Sequence, residues 1–270
     1  MQYKEFISTI LKQAGEIAQK SFGEVSTKIK GFDNNQVLTE TDLKISKLFM
    51  SKIRQIYPKD NVIDEESGGI DNNASFTWVI DPIDGTSNFA NGLPTYGIMI
   101  GVLKDSIPVA GGIILPFFNE FYYAEKGRGA FCNGKIIRVT NESNLLKTLG
   151  VYAIDGYQDN PKKTLEECQL LAEIVLNIRN LRISNSCFDI MMVANGKYST
   201  WLNRTSKIWD NVAPQIIVEE AGGKYTNFVG NPIDYSNPMQ KIDQNFTVCA
   251  SSPTLHKKIQ SIISKFNYID

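Results

Sequence analysis

One stretch, Trp78-Val79-Ile80-Asp81-Pro82-Ile83-Asp84-Gly85-Thr86-Ser87-Asn88-Phe89, constrains this chain more than any other. Trp78, Val79 and Ile80 are apolar and two of them are β-branched, so they read as a short buried strand. The strand runs into Asp81, and Pro82, which has no amide hydrogen to donate, is expected to stop the ladder there. Asp84-Gly85-Thr86-Ser87 then reads as a turn feeding a helix N-terminus, where free N–H groups can hold an anion. One turn thus offers two carboxylates three positions apart beside a nest of donors. Carboxylate and carbonyl oxygens suit hard divalent cations, and Mg2+ is usually held by a few carboxylates together with substrate phosphate oxygens. An Asp-Pro turn followed by an Asp helix cap would use the same letters with no chemistry. The weight therefore falls on whether other acids occupy similar positions.

They do. Phe6, Ile7, Ile10, Leu11, Ala14, Ile17 and Ala18 recur at helical spacing, which predicts an amphipathic helix ending near Gly23. A polar loop from Ser26 to Gln36, carrying Lys28 and Lys30, is expected to be mobile and could act as a lid. Thr39-Glu40-Thr41-Asp42 opens a second helix and puts Asp42 at its first turn, a favourable place for negative charge. Asn61-Val62-Ile63 is a short strand that also runs into acid, Asp64-Glu65-Glu66-Ser67. Strands are then predicted at 96–103, 107–115, 120–124 and 135–139, the last after an Asn133-Gly134 hairpin turn. A second half begins near Leu145, giving an expected division into 1–145 and 146–270. It reads as strands at 149–153, 181–183, 199–202, 224–226 and 247–250, alternating with helices at 161–178, 186–194, 209–221 and from about Pro253. The order is α/β with antiparallel hairpins, so helices and sheets should stack in layers.

Composition narrows the chemistry. Lys+Arg number 28 against 29 Asp+Glu, a net charge of −1, so no global field draws in nucleic acid or a membrane surface. A small-molecule partner is favoured. Four cysteines without metal-like spacing and an N-terminus without a signal-peptide pattern suit a cytoplasmic protein. The only histidine is His256, expected to be an exposed surface residue in the last helix. A Ser-His-Asp or Cys-His hydrolase is hard to build from one histidine, and a zinc site equally so. Cys132 and Arg138 match the spacing of cysteine phosphatases, but that loop should join a strand to a helix, and here the arginine follows a hairpin turn. What remains is an all-oxygen site from Asp42, Glu65, Asp81, Asp84 and Asp210, each at the predicted end of a strand or start of a helix. Such acids repel one another unless cations neutralise them, which implies two or three Mg2+ ions suited to phosphate-ester hydrolysis. Thr86 offers a hydroxyl able to orient a water, and Asp42 could accept its proton.

The pattern resembles the inositol monophosphatase family, which shares its fold with fructose-1,6-bisphosphatases and related lithium-sensitive phosphatases. The resemblance rests on Thr41-Asp42, Asp64-Glu65-Glu66-Ser67, W-V-I-D-P-I-D-G-T-S-N-F, G-x-G-A-F-C-N-G at Gly127–Gly134, and W-D-x-A-P…E-A-G-G at Trp209–Gly223. It implies an α-β-α-β-α sandwich, commonly a homodimer, with Mg2+ as cofactor at two to three ions per subunit. Carried over by motif, Glu65, Asp81 and the Ile83 carbonyl resemble one metal's ligands, and Asp81, Asp84 and Asp210 another's. Glu65 also resembles the acid at a third, weaker site. Gly85 and Thr86 match the residues that cradle phosphate, while Thr86, Asp42 and Glu65 match the catalytic set.

The departures lie on the substrate side. Seven positions before Asp210, where many members have a sugar-binding Glu, this chain has Asn203. Before the helix whose amides touch the inositol ring it has Asn185-Ser186-Cys187 in place of G-S/T-A. Ser186, Cys187 and Asn203 are the expected substrate contacts. The expected activity is that of a Mg2+-dependent phosphomonoesterase acting on inositol monophosphate or a related small sugar or polyol phosphate. An NADP 2′-phosphatase, a 3′-phosphoadenosine 5′-phosphate phosphatase and a fructose-1,6-bisphosphatase are the alternatives within the same chemistry. A regulatory protein that kept only the fold is the alternative of another class.

Overall fold

The computed structural model describes residues 3–30 and 33–266. Helix α1 (Lys4–Gln19), a hairpin of β1 (Thr27–Lys30) and β2 (Asp33–Thr39), and helix α2 (Glu40–Ile56) come first. A run of strands follows: β3 (Asn61–Asp64), β4 (Gly68–Ile70), β5 (Phe76–Asp84), then the short α3 (Thr86–Ala90), β6 (Gly97–Lys104), β7 (Ile107–Leu115), β8 (Glu120–Glu125), β9 (Ala130–Cys132) and β10 (Lys135–Ile136). The remainder alternates β11 (Leu149–Ala153), α4 (Pro161–Asn177), β12 (Asn180–Arg182), α5 (Cys187–Ala194), β13 (Thr200–Ser206), α6 (Ile208–Glu220), β14 (Lys224–Thr226), β15 (Phe246–Ser251) and α7 (Pro253–Ile263).

An eight-stranded sheet has the order β10-β9-β8-β7-β6-β5-β3-β4, and a five-stranded sheet the order β12-β11-β13-β15-β14. Helices α1 and α2 pack on one face of the larger sheet, burying Ile7, Ile10, Leu11, Ile45, Phe49 and Ile53 against Trp78, Ile80, Ile98 and Ile100. Helices α5 and α6 fill the space between the sheets, and α4 and α7 cover the outer side of the smaller one. These are the layers expected, α-β-α-β-α. Alternation along β5 sorts its side chains: Trp78 and Ile80 face α1 and α2, while Val79 enters the middle layer.

Close approach of α6 to the larger sheet depends on two glycines. A Cβ at Gly101 would lie 2.6 Å from Val212 Cγ1, and one at Gly111 would lie 2.7 Å from Ile216 Cγ2. Their absence of side chains lets α6 lie directly on β6 and β7, which carries its first turn to the strand ends where the acids collect.

Three expectations need correction. The segment Ser26 to Gln36 is not a loop but largely the β1–β2 hairpin, with Gly31 and Phe32 outside the described residues. The β1 strand is mostly exposed, so no apolar alternation marked it. Pro82 does not end its ladder, because β5 continues through it to Asp84. His256 is only 8% exposed and its Nε2 lies 2.9 Å from Thr226 Oγ1. It stands three residues before Ile259 on the buried face of α7, so the helix itself turns it inward.

Candidate metal and phosphate site

The spacing Asp81-Pro82-Ile83-Asp84 should place the two acids on opposite faces of a regular strand. The structure prevents this with a bulge. On β5, Asp81 pairs with Met99 and Asp84 with Gly97, so three steps on one strand match two on its partner. The extra residue restores Asp84 to the face that Asp81 and Met99 share, the middle layer. Pro82 suits this position because a bulge leaves an amide unpaired and proline has none to lose.

Glu65 arrives from the neighbouring parallel strand. Asp64 of β3 pairs with Ile80, and the Glu65 amide donates to Ile80 O at 3.2 Å, so Glu65 leaves the sheet beside Asp81. Asp64 itself is structural: its Oδ1 accepts from Ser46 Oγ and from the Glu66 and Ser67 amides, which shapes the acidic turn. Asp210 comes from the middle layer, in the first turn of α6, where its Oδ2 accepts from the Lys207 amide at 2.6 Å. Asp81, Asp84 and Asp210 each present a carboxylate oxygen, all within 4.8 Å of one another.

Three acids this close raise one another's proton affinity. Burial, then Glu65, Asp84 and Asp210, holds the Asp81 carboxyl far above the usual carboxylate range. Burial raises Asp84 to about 7, against the pull of the Cys187 amide, which donates to its Oδ2. Burial, then Asp84 and Glu65, raises Asp210 as well. Asp81 Oδ1 is buried with no hydrogen-bond partner among the described residues. A buried, unpartnered carboxylate oxygen among like charges calls for a cation.

Thr86 and Asp42 adjoin this cluster. Thr86 opens α3 behind Gly85, whose φ of +79° is left-handed and whose Cβ, if present, would lie 2.8 Å from Ser186 Cβ. Only glycine permits both the turn and the contact. The Thr86 hydroxyl donates to Ile83 O at 2.7 Å and lies 3.3 Å from Asp42 Oδ1. Asp42 is fully buried in a capping box with Thr39, whose amide donates to Oδ2 at 2.8 Å, and burial raises its pKa to about 6.

Glu65, Asp81, Ile83, Asp84, Gly85, Thr86, Ser186, Cys187, Asn203 and Asp210 all line one cavity of about 990 Å3; Asp42 reaches it through Thr86. Two of the expected substrate contacts are partly committed elsewhere. The Cys187 amide is spent on Asp84, and burial, then Asp84 and Asp81, pushes its thiol far above its usual range. Asn203 Oδ1 accepts from the Thr205 amide at 2.7 Å, which leaves its amide NH2 for other partners.

Sequence reasoning passed over Lys30 as a member of the site. From the hairpin its Nζ reaches Glu65 Oε1 at 2.8 Å and Glu66 Oε1 at 2.6 Å. Burial alone would lower its pKa, yet the two glutamates outweigh this and hold the ammonium above its usual range. Burial, then Glu65, raises Glu66 to about 7. A lone lysine in a polar stretch gave no signal, because the pairing depends on a hairpin that the alternation did not show.

Comparison with known proteins gives one answer from three directions. A "Fructose-1,6-bisphosphatase/inositol-1-monophosphatase" from Aquifex aeolicus is 27% identical, covering 98% of this chain and 96% of that protein. "Inositol monophosphatase 1" from Solanum lycopersicum is 30% identical over 96% of this chain and 93% of its own length. Among solved structures, the Thermotoga maritima IMPase TM1415 superposes with a TM-score of 0.86 at 27% identity, covering 98% of both chains. The model of the inositol monophosphatase family matches residues 2–266. The chain therefore belongs to the inositol monophosphatase family and is a phosphoric monoester hydrolase.

Proposed function

We propose that this chain hydrolyses the phosphate ester of inositol or a related small sugar or polyol, with Mg2+ as its cofactor and Asp81, Asp84 and Asp210 at its centre. The observation that carries the reading is the meeting of those three carboxylates within 4.8 Å, beside Gly85 and Thr86. The donor set fits Mg2+: every group is an oxygen, Asp81 Oδ1 is buried and unpartnered, and the adjacent thiol of Cys187 is held protonated. Glu65, Asp81, the Ile83 carbonyl, Asp84 and Asp210 would hold two to three ions. When bound, Mg2+ lowers the pKa of water and neutralises charge gathering on the ester oxygens.

The chain's own residues supply position and a proton path. The first amides of α3 have no intrahelical acceptor and face a phosphate oxygen arriving beside Gly85 and Thr86. With its hydrogen turned from Ile83 O to Asp42 Oδ1, the Thr86 hydroxyl accepts from the attacking water and orients it; its own proton then passes to the Asp42 carboxylate as the water's proton replaces it. Asp42 is suited to this because burial has brought its pKa to about 6, near neutrality. Ser186 and Asn203 face the alcohol. In this reading residues 1–145 carry most of the metal ligands and 146–270 contribute Asp210 and the alcohol side. The net charge of −1 and the balanced composition favour a small phosphorylated metabolite over nucleic acid or membrane, and the working form is a cytoplasmic homodimer inhibited by lithium.

Steady-state phosphate release from a panel of esters at saturating Mg2+ tests the substrate. Inositol monophosphate, sugar monophosphates, NADP and fructose 1,6-bisphosphate belong in it, the last because the Aquifex relative's name carries both activities. Inositol monophosphate or another small sugar or polyol monophosphate should give the highest kcat/KM. A preference for NADP or the bisphosphate would contradict the polyol assignment.

A further inference from the structure

The alcohol side of the cavity is built on two neighbouring parallel strands. In β11 and β13, Val151 pairs with Trp201 and Ala153 with Asn203, and continuing that register brings Asp155 beside Thr205. Alternation places Trp201 and Asn203 on one face; β13 is irregular beyond Asn203, yet Thr205 joins them, and with Ala153 and Asp155 all of these residues line the cavity. Asp155 Oδ2 accepts from Thr205 Oγ1 at 2.9 Å. Its Oδ1 is approached only at 3.5 Å by Asn185 Nδ2, whose shorter bond, 3.1 Å, goes to Ile154 O.

The hydrogen-bonding capacity here is lopsided. Asn203 Oδ1 accepts from the Thr205 amide, which ties its acceptor end to the strand and leaves its two N–H donors as the main offering to the cavity. Trp201, 5% exposed, has its indole N–H buried with no partner among the described residues, and that group can only donate as well. Asp155 is the carboxylate among them. A carboxylate has about four acceptor positions, and the bonds seen on Asp155 leave most of them open.

We propose that Asp155 is the specificity-determining carboxylate of this enzyme, accepting hydrogen bonds from hydroxyls of the leaving alcohol. It gives the polyol a charged acceptor, which Asn203 lacks, while the Asn203 amide donates to an oxygen of the same alcohol. The ligand class is a polyhydroxylated phosphate monoester, and an ester whose alcohol carries no hydroxyls gains nothing from the residue. The inference rests on the phosphomonoesterase reading above.

The test is the ratio of kcat/KM for myo-inositol 1-phosphate over that for p-nitrophenyl phosphate, measured with Mg2+ on the full chain and on Asp155→Asn. Thermal melting of both proteins accompanies it. A hydrogen bond from a neutral donor to a carboxylate is worth enough that the ratio should fall about tenfold or more in the variant. A ratio within about twofold of wild type, whether both activities fall together or neither does, overturns the assignment and makes Asp155 a clamp for Thr205. A wild-type protein that hydrolyses only p-nitrophenyl phosphate also overturns it and leaves the phosphatase reading standing. A wild type that releases phosphate from neither ester overturns both.

Discussion

The backbone N–H of Cys187 donates to the Asp84 carboxylate, joining residues 103 positions apart. Asp84 ends β5 of the larger sheet, and Cys187 begins α5 in the layer between the sheets. The candidate metal site is thus fastened from both sides, and Asp84 keeps its orientation through a helix start and not through a second carboxylate.

Asp84→Asn and Asp210→Asn should each lower kcat about a hundredfold or more, since each removes charge from the centre that stabilises the transition state. Both proteins should stay folded. In chelator their melting temperatures should equal or exceed that of wild type, because a repelling charge has gone. Activity above about a tenth of wild type at saturating Mg2+ would remove the residue from the metal site.

Chelator-treated protein should lose stability as pH rises. The folded-state pKa of Asp84 is raised from 3.8 to about 7, and those of Asp81 and Asp210 are raised too. Between the two values the folded state binds more protons than the unfolded state, so stability is full below about 4 and declines as pH climbs through about 7. Melting in chelator at pH 5 and pH 8 should show the higher temperature at pH 5. Mg2+ should shrink or reverse the difference, because it stabilises the ionised cluster. A melting temperature that rises with pH in chelator would contradict the cluster's electrostatics.

Thr86→Ala and Asp42→Asn should lower kcat about a hundredfold while changing KM little, as expected for groups that act on the proton in flight. In wild type the acid limb of kcat should rise through pH about 6, the value to which burial brings Asp42, and Asp42→Asn should flatten it. Asp42 also caps α2, so Asn should cost about 1 kcal/mol of stability. A variant with that stability loss and unchanged kcat would leave Asp42 as a helix cap alone.

Much of this site was legible because its acids stand where elements begin and end. Asp42 at the start of α2, Asp210 in the first turn of α6 and Asp84 ahead of α3 could be read from turn and cap chemistry. The bulge could not, because Pro82 gives the same signal whether it ends a ladder or kinks it, and only pairing with Met99 and Gly97 decides. His256 was misplaced because a single polar residue on an amphipathic helix reads as solvent-facing until its neighbour, Thr226, is known. Asp155 drew no notice for a similar reason: its meaning comes from standing beside Thr205 and Asn203 across a parallel pair, fifty residues away in sequence.

Lys30 ties the hairpin to the acidic turn, and its side chain is 21% exposed against 3% for Glu66. Lys30→Gln leaves two carboxylates without their cation and should destabilise chelator-treated protein by about 1–3 kcal/mol. Mg2+ should recover part of that loss by neutralising Glu65. Equal melting temperatures for the variant and wild type in chelator would mean that the ion pair contributes nothing to the fold.

The most direct measurement is phosphate release from inositol 1-phosphate as Mg2+ is titrated into chelator-treated wild-type protein. Activity should be absent at the start, rise with Mg2+ to a plateau, and vanish again on renewed chelation. Release that proceeds equally well in chelator would contradict the assignment of Asp81, Asp84 and Asp210 as a metal-dependent catalytic centre.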